Sequence, residues 1–315
     1  MLQTSKAPFH SDIARAPKGG IVSYRPADDG VRLRMGLWRT KSKKPKGTVY
    51  VGQGRTEFIE KFGPVFKRLN DLGYHAVAID WRGQGLSERI HKNPVLGHVD
   101  KFSDYQYDVK ALVDFAAEHD LDGPKYLIAH SMGGAIMLQA VLNGLDVKAA
   151  LFSAPLWGIA VQGWQRQVLK LYVDTFGRFT SGLSRIPTMS DRNASITDGF
   201  EGNTLTTNED EFHFRAKQLL AHPELEIAGP TVRWVIEALA ACNSAKRKPD
   251  PGLPMLCLLA EHEAIVSNKA AHKLSQNWPS LDVIEFPNVH HELFIETEET
   301  QDAIWREIEN FFAKH

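Results

Sequence analysis

Between residues 47 and 153 the chain alternates short apolar runs with longer segments whose apolar residues recur at helical spacing. The runs at 48–51, 76–79, 126–129 and 147–152 read as buried strands. The segments 58–72, 105–119 and 132–143 read as helices. The first aligns Phe58, Phe62, Val65, Phe66, Leu69 and Leu72 and meets Gly73 where a helix C-terminus is expected. The second gathers Val109, Leu112, Val113 and Ala116 on one face. Strands that alternate with helices run mostly parallel and need helices on both faces of the sheet. The expected class is therefore α/β, with a mostly parallel, doubly wound sheet.

Two stretches depart from this rhythm. At the front, 21–24 and 31–38 flank the turn signal Ala27-Asp28-Asp29-Gly30, which predicts an antiparallel hairpin at the sheet edge. From 155 to 254 the strand signal lapses: Trp164, Val168, Leu171, Tyr172, Thr175, Phe176 and Phe179 keep helical spacing, and helices are expected at 209–221 and 229–241. The alternation then resumes with strands at 255–259 and 283–286 and helices at 269–276 and 301–314. The expected organisation is one core, 1–154 and 249–315, interrupted by a helical insertion at 155–248. There is no internal repeat and no low-complexity tract.

Composition narrows the partners. The 315 residues are 43% hydrophobic and 24% charged, which excludes disorder and coiled coil as whole-chain readings. Lys plus Arg number 37 against 38 Asp plus Glu, so no basic footprint for nucleic acid exists. The run Lys41-Ser42-Lys43-Lys44-Pro45-Lys46 is short and lies between strands, so it reads as a solvated loop. Cys242 and Cys257 are too few for a disulfide framework and suit a reducing compartment. No apolar run follows the first residues and no 18-residue uncharged apolar stretch occurs, so a cytoplasmic protein is expected.

The sharpest chemical feature is Ile128-Ala129-His130-Ser131-Met132-Gly133-Gly134, directly after an expected strand and before an expected helix. A nucleophilic serine on a tight strand–turn–helix elbow needs small neighbours, which Ala129, Gly133 and Gly134 supply. The competing reading, a structural turn, does not call for a serine. A serine hydroxyl needs a base, and the base an orienting acid, which follow on such an elbow in the order serine, acid, histidine. His213, His222 and His272 fall on helical patterns, whereas His290 and His291 lie in a loop after the last strand. The acid belongs in the loop Ala260-Glu261-His262-Glu263-Ala264-Ile265-Val266.

These segments resemble the α/β-hydrolase superfamily and, within it, the lysophospholipase and monoacylglycerol lipase group. Asp80-Trp81-Arg82-Gly83-Gln84-Gly85-Leu86-Ser87 resembles the group's D-x-R-G-x-G-x-S segment, and Ala129-His130-Ser131-Met132-Gly133-Gly134 its G-H-S-M-G-G elbow. Glu261-His262-Glu263-Ala264-Ile265-Val266 is similar to G-x-x-D-x-x-V, which implies Glu263 as the acid, with Glu261 as the second candidate. Asn288-Val289-His290-His291-Glu292-Leu293 is similar to G-x-x-H-E-x, which implies His291 as the base. The chain departs from the pattern in three places. Ala129 stands for glycine, Glu263 for aspartate, and Val51-Gly52-Gln53-Gly54 for an oxyanion loop that usually opens His-Gly. The backbone N–H groups of Gln53 and Met132 are the implied oxyanion donors. Asp80 and Arg82 read best as charged anchors between loops.

The resemblance places a cap at the insertion, and Leu156, Trp157 and Trp164 are the expected substrate-lining residues. For each of them the plainer reading is packing of the cap onto the core. Zinc-protease spacing fails at Ile295 and Val266, the dinucleotide fingerprint fails at Glu57, and no phosphate loop ending Gly-Lys-Ser/Thr occurs, so neither metal nor cofactor is expected. The expectation is a cofactor-independent serine hydrolase acting on a lysophospholipid or monoacylglycerol, with a transient contact of the cap with a membrane surface. The alternatives are a small-ester esterase, thioesterase or aminopeptidase on the same scaffold, or a non-catalytic binding protein that keeps the fold.

Overall fold

The computed structural model describes residues 4–121, 123–160, 182–186 and 192–315. The strands β1 (Ser5–Lys6), β2 (Ile21–Pro26), β3 (Arg32–Trp38), β4 (Gly47–Gly52), β5 (Tyr74–Asp80), β6 (Lys125–His130), β7 (Ala149–Ser153), β8 (Met255–Ala260) and β9 (Leu281–Phe286) form one sheet. Its order is β1-β2-β3-β5-β4-β6-β7-β8-β9. The pairs from β1 to β5 are antiparallel, and those from β5 through β4 to β9 are parallel. The expected α/β class with a front hairpin is what forms. The hairpin β2–β3 lies one strand in from the edge, because the short polar β1 pairs outside it; two polar residues carry no periodic signal to announce a strand.

Side-chain alternation along the strands divides the core in two. Tyr50, Val77, Leu127, Ala150 and Cys257 face one layer. Val49, Ala76, Ile128, Leu151 and Leu256 face the other. The first layer is covered by the helices Tyr105–Ala117, Met132–Leu142, Val232–Ala245 and Asn268–Ser275. The second is covered by Gly63–Asp71 and Glu298–Lys314. After β4 the chain proceeds to β5 on one side and then crosses to β6 on the other. That makes the carboxyl ends of β4 and β6 the topological switch point, where open α/β sheets hold their ligands.

Local chemistry shifts two element boundaries. The segment expected as one helix at 58–72 is a 3-10 turn, Ile59–Phe62, followed by the helix Gly63–Asp71. Pro64 suits a helix's first turn and not its interior, and a Cβ on Gly63 would stand 1.7 Å from the Ala14 carbonyl oxygen. The helix expected at 229–241 starts at Val232, because Thr231 caps it by accepting from Trp234 N–H at 3.2 Å while Pro230 bridges to Gly97. This helix lies within the sequence-defined insertion, yet it packs Trp234, Val235, Ala238 and Cys242 into the first layer. The helix Glu209–Ala221 joins a smaller cluster of Ile13, Phe58, Leu219 and Leu225. Trp164, Val168, Leu171, Tyr172, Thr175, Phe176 and Phe179 lie outside the described residues. No helix among the described residues is long and apolar enough to cross a membrane.

Two charge clusters set the loops at the switch point, the first fully buried and the second reaching the surface at Asp29. Arg34, Glu60 and Asp80 have no exposed side-chain surface. Arg34 donates to Asp80 and Glu60 at 2.7 Å, and Asp80 also accepts from the N–H groups of Ile59 and Leu86 at 2.8 Å. Arg82 donates to Asp108 at 2.7 Å and to Asp29 at 2.6 Å. Asp80 and Arg82 thus work as anchors that tie β3 and β5 to the loops around the site. Removing one member of such a cluster strands the other charges away from water. Asp80→Asn is expected to lower unfolding free energy by about 3 kcal/mol in urea titration; a change below about 1 kcal/mol would contradict this account of the anchor.

Candidate active site

β6 ends at His130 and a helix begins at Met132, so Ser131 must reverse the chain alone. It does so at φ +49°, ψ −117°, a conformation that costs a side-chain-bearing residue energy. Three backbone hydrogen bonds hold it there. Ser131 N–H donates to Ser153 O at 3.0 Å, and Ser131 O accepts from Gly134 at 2.9 Å and Leu156 at 2.8 Å. The glycines that follow are required by contact. A Cβ on Gly133 would lie 2.3 Å from Gly52 O and 2.5 Å from Gln53 O, and one on Gly134 would lie 2.5 Å from Pro155 Cβ. The first turn of the helix is therefore pressed against the end of β4.

The structure brings Ser131, His291 and Glu263 together. Ser131 Oγ lies 3.0 Å from His291 Nε2, and His291 Nδ1 lies 2.7 Å from Glu263 Oε2. A carboxylate can only accept, so Nδ1 carries the hydrogen and Nε2 is free to accept from the serine hydroxyl. Burial pushes the Glu263 carboxyl upward, but the hydrogen bond and charge of His291, with N–H donation from Ile265 at 2.7 Å and Val266 at 3.1 Å, bring it below its ordinary range. Glu261 does not reach the ring; its exposed carboxylate accepts from Asn288 N–H at 2.7 Å and braces the histidine loop from outside. His290 is half-buried, with its N–H donating to Glu296 at 3.0 Å.

Gln53 lies directly after β4, its carbonyl accepting from Trp81 Nε1 at 2.8 Å. Met132 opens the elbow helix, so its N–H has no carbonyl one turn back to bond. The Gly133 contact sets these two residues side by side at the serine. The loop beyond them is pinned: Gly54 N–H donates to Glu57, Gly54 O accepts from Gln84 Nε2 at 2.8 Å, and Thr56 N–H donates to Gln84 at 3.3 Å. Trp157 is buried, packs on Phe152 at 5.1 Å and donates from its indole to Gly134 O at 3.2 Å. Leu156 is buried beside it and Cys242 Sγ donates to its carbonyl at 3.1 Å. Trp164 is outside the described residues.

Behind His291 lies a charge cluster that sequence reasoning passed over. Lys61 bridges Glu57 and Glu292; Arg215 donates to Glu292 and, at 2.9 Å, to Thr56 Oγ1. All four charged side chains are buried. Burial opposes the Glu292 charge, but Arg215 and Lys61 outweigh it and hold the carboxyl well below its ordinary range. The available signal was Arg215 on the same helix face as Phe212 and Leu219, a charge at a core position. His130 borders the cluster and lies 4.9 Å from the His291 ring. Its Nδ1 donates to Ser153 O at 3.1 Å, and burial pulls its pKa down to about 4, so it stays neutral.

Among the described residues, one group of His and carboxylate donors is close enough to share a cation: His10, His222 and Glu224. The two rings stack at 3.7 Å, which leaves their lone pairs in near-parallel planes, and His222 Nε2 is engaged by Asp12 at 3.0 Å. None of these residues belongs to the serine site.

The model of the serine aminopeptidase S33 family matches residues 43–298. The chain is 29% identical to lysophospholipase L2 of Escherichia coli K12 over 296 residues, covering 88% of this chain and 83% of that protein. It is 25% identical to the monoglyceride lipase of Rattus norvegicus, covering 91% and 88%. A soluble variant of the Saccharomyces cerevisiae monoglyceride lipase, solved with a substrate analogue, superposes with a TM-score of 0.73 at 19% identity, covering 93% and 94% of the two chains.

The burial of a neutral His130 has a pH consequence. Its pKa is about 4 in the folded protein and near 6.5 when unfolded, so the unfolded chain gains the proton first as pH falls. The stabilisation is full above about pH 6.5 and declines as pH drops toward 4. Between pH 7 and pH 5 the parent should lose about 2 kcal/mol more unfolding free energy than His130→Gln. Parallel pH profiles for the two proteins in denaturant titrations would rule this out.

Proposed function

The chain belongs to the serine aminopeptidase S33 family, a family of α/β hydrolases, and is a carboxylic ester hydrolase; on that premise we propose that it cleaves lipid esters through an acyl-enzyme on Ser131. The observation that carries the mechanism is the unbroken chain of contacts Ser131–His291–Glu263 at 3.0 and 2.7 Å. His291 Nε2 takes the serine proton as Oγ attacks the ester carbonyl. Glu263, kept ionised, stabilises the imidazolium and fixes the ring. The N–H groups of Gln53 and Met132 receive the oxyanion, each such donor being worth about 10²–10³ in rate. His291 then protonates the leaving alcohol. Water, deprotonated by the same nitrogen, releases the acid and restores Ser131.

The preferred substrates are a lysophospholipid or a monoacylglycerol, a reading supported by the two relatives' named activities. The segment 155–248 serves as the lid. Its start bridges the acid loop, with Ile159 paired to Val266 and Ala160 N–H donating to Ile265 O at 3.1 Å. Its later part accepts from the histidine loop: His291 N–H donates to Thr204 O at 3.4 Å and Glu292 N–H to Leu205 O at 2.7 Å. A lid that touches both loops can exclude water from the acyl-enzyme.

A fluorophosphonate probe is expected to label the parent and not Ser131→Ala; equal labelling of both would end the serine assignment. Glu263→Gln should lower kcat by about a hundredfold or more, while Glu261→Gln should change it by less than about threefold, since an exposed hydrogen bond is worth about 0.5 kcal/mol. The reverse order would transfer the acid role to Glu261. Across p-nitrophenyl esters from acetyl to palmitoyl, turnover should extend to the long chains, and activity confined to acetyl would exclude a lipid substrate.

A further inference from the structure

The loop that supplies Gln53 also carries a cation that the described protein does not neutralise. Arg55 follows Gln53 by two positions, which places their Cα atoms within about 7 Å of each other. A guanidinium offers five N–H donors. Among the described residues, that of Arg55 makes one hydrogen bond, from Nη1 to Ala228 O at 2.7 Å, and no ion pair. The buried arginines of this protein behave differently. Arg34 has Asp80 and Glu60, Arg82 has Asp29 and Asp108, and Arg215 has Glu292. Arg89 also lacks a carboxylate, but two carbonyls hold it, those of Gly83 at 3.1 Å and Glu224 at 2.7 Å.

Arg55 is also enclosed. Its guanidinium carbon lies 5.7 Å from the Trp234 ring centroid, and a Cβ on Gly97 would stand 3.3 Å from Nη1. Burial pulls its pKa down to about 10, with Arg215 adding repulsion, so at neutral pH it is a charged group held in unfavourable surroundings. Its side chain is nevertheless only half-buried, so part of it still meets solvent. A desolvated cation without a counter-ion is costly, and that cost disappears when a bound anion supplies the missing charge. The planar fork of arginine suits a tetrahedral oxyanion through paired N–H donors.

We propose that Arg55 binds the phosphate of a lysophospholipid whose ester carbonyl sits against the Gln53 and Met132 N–H groups. This rests on the serine-esterase reading above and chooses between its two substrates. A lysophospholipid carries its phosphate a glycerol backbone away from the ester, which matches the short separation of Gln53 and Arg55 along one loop. A monoacylglycerol has a neutral hydroxyl at that place and leaves the guanidinium without a counter-ion. The group attached beyond the phosphate is not constrained by this contact.

The test compares kcat/KM for 1-palmitoyl-lysophosphatidylcholine and 1-palmitoylglycerol in the same detergent micelles, for the parent, Arg55→Met and Arg55→Lys. The parent should favour the lysophospholipid. Arg55→Met should lower the ratio of the two kcat/KM values by about 10- to 100-fold, chiefly through KM, and Arg55→Lys should retain part of it. Equal losses on both substrates, an unchanged ratio or a parent that favours the monoacylglycerol would overturn the proposal. If Arg55→Met does not fold, the drop in ratio for Arg55→Lys decides. Fluorophosphonate labelling of Ser131 in each variant separates the two readings. A labelled serine with no phosphate selectivity defeats the Arg55 assignment alone, whereas an unlabelled parent defeats the esterase reading beneath it.

Discussion

The left-handed backbone at Ser131 is the constraint from which the rest of the site follows. A residue with a Cβ at φ +49° gives up about 1–2 kcal/mol unless its neighbours hold it. Here the end of β7 and the residues just after it do so, through Ser153 O and Leu156 N–H. The same turn forces the first helical residues onto the end of β4, which only glycine at 133 permits. The proposed nucleophile, Ser131, and the proposed oxyanion donors, Gln53 and Met132, are thereby positioned by one packing event. The strain is balanced by hydrogen bonds from the end of β7, the elbow helix and Leu156, so the backbone that presents the hydroxyl is held in one conformation.

The proposed base, His291, is positioned by a different device. His291 lies in a loop, and loops are ordinarily the softer part of an α/β protein. The adjoining Glu292 is drawn inward by Lys61 and Arg215, and with Glu57 the group is balanced, two cations against two anions. Because Lys61 follows β4 and Arg215 lies on the helix Glu209–Ala221, this cluster joins the oxyanion side, the histidine loop and the insertion. A buried ion cluster adds little net stability over apolar packing, but it defines one arrangement sharply, since each misplaced member leaves an uncompensated charge. Precise placement of His291 is the use to which that property is put.

Much of this architecture was legible in the order of residues. Short apolar runs and helical spacing located the parallel strands and their helices, because buried strands such as 76–79 and helices such as 105–119 carry strong local signals. The elbow was legible because small residues around one serine have a steric reason that contact with Gly52 and Pro155 makes explicit. What was not legible has two physical sources. β1 is too short to show a period, and the break at Gly63 depends on Ala14, a contact distant in sequence. The charge cluster and the isolation of Arg55 depend on residues brought from three or more segments, and a charge has no pattern that reveals its partner. Trp157, an expected substrate-lining residue whose plainer reading is packing, also donates its indole N–H to the elbow helix.

The glutamate at 263 shows how a departure from a family pattern can be absorbed. Its extra methylene adds a rotatable bond, so an unsupported carboxylate would sample more positions around His291. Two backbone donors, Ile265 and Val266, hold one oxygen at 2.7 and 3.1 Å and leave the other for the histidine. Those donors are themselves fixed by the start of the insertion, through Ile159 opposite Val266 and Ala160 on Ile265. Acid, base and oxyanion loop are thus each braced by a part of the chain between β7 and β8. A movement of that segment cannot leave the site unchanged: loss of the 159–160 contacts removes one brace of the acid loop, and loss of Arg215 leaves Lys61 as the one cation on Glu292 among the described residues. The segment proposed as the lid is by the same contacts part of what aligns the loops around Ser131.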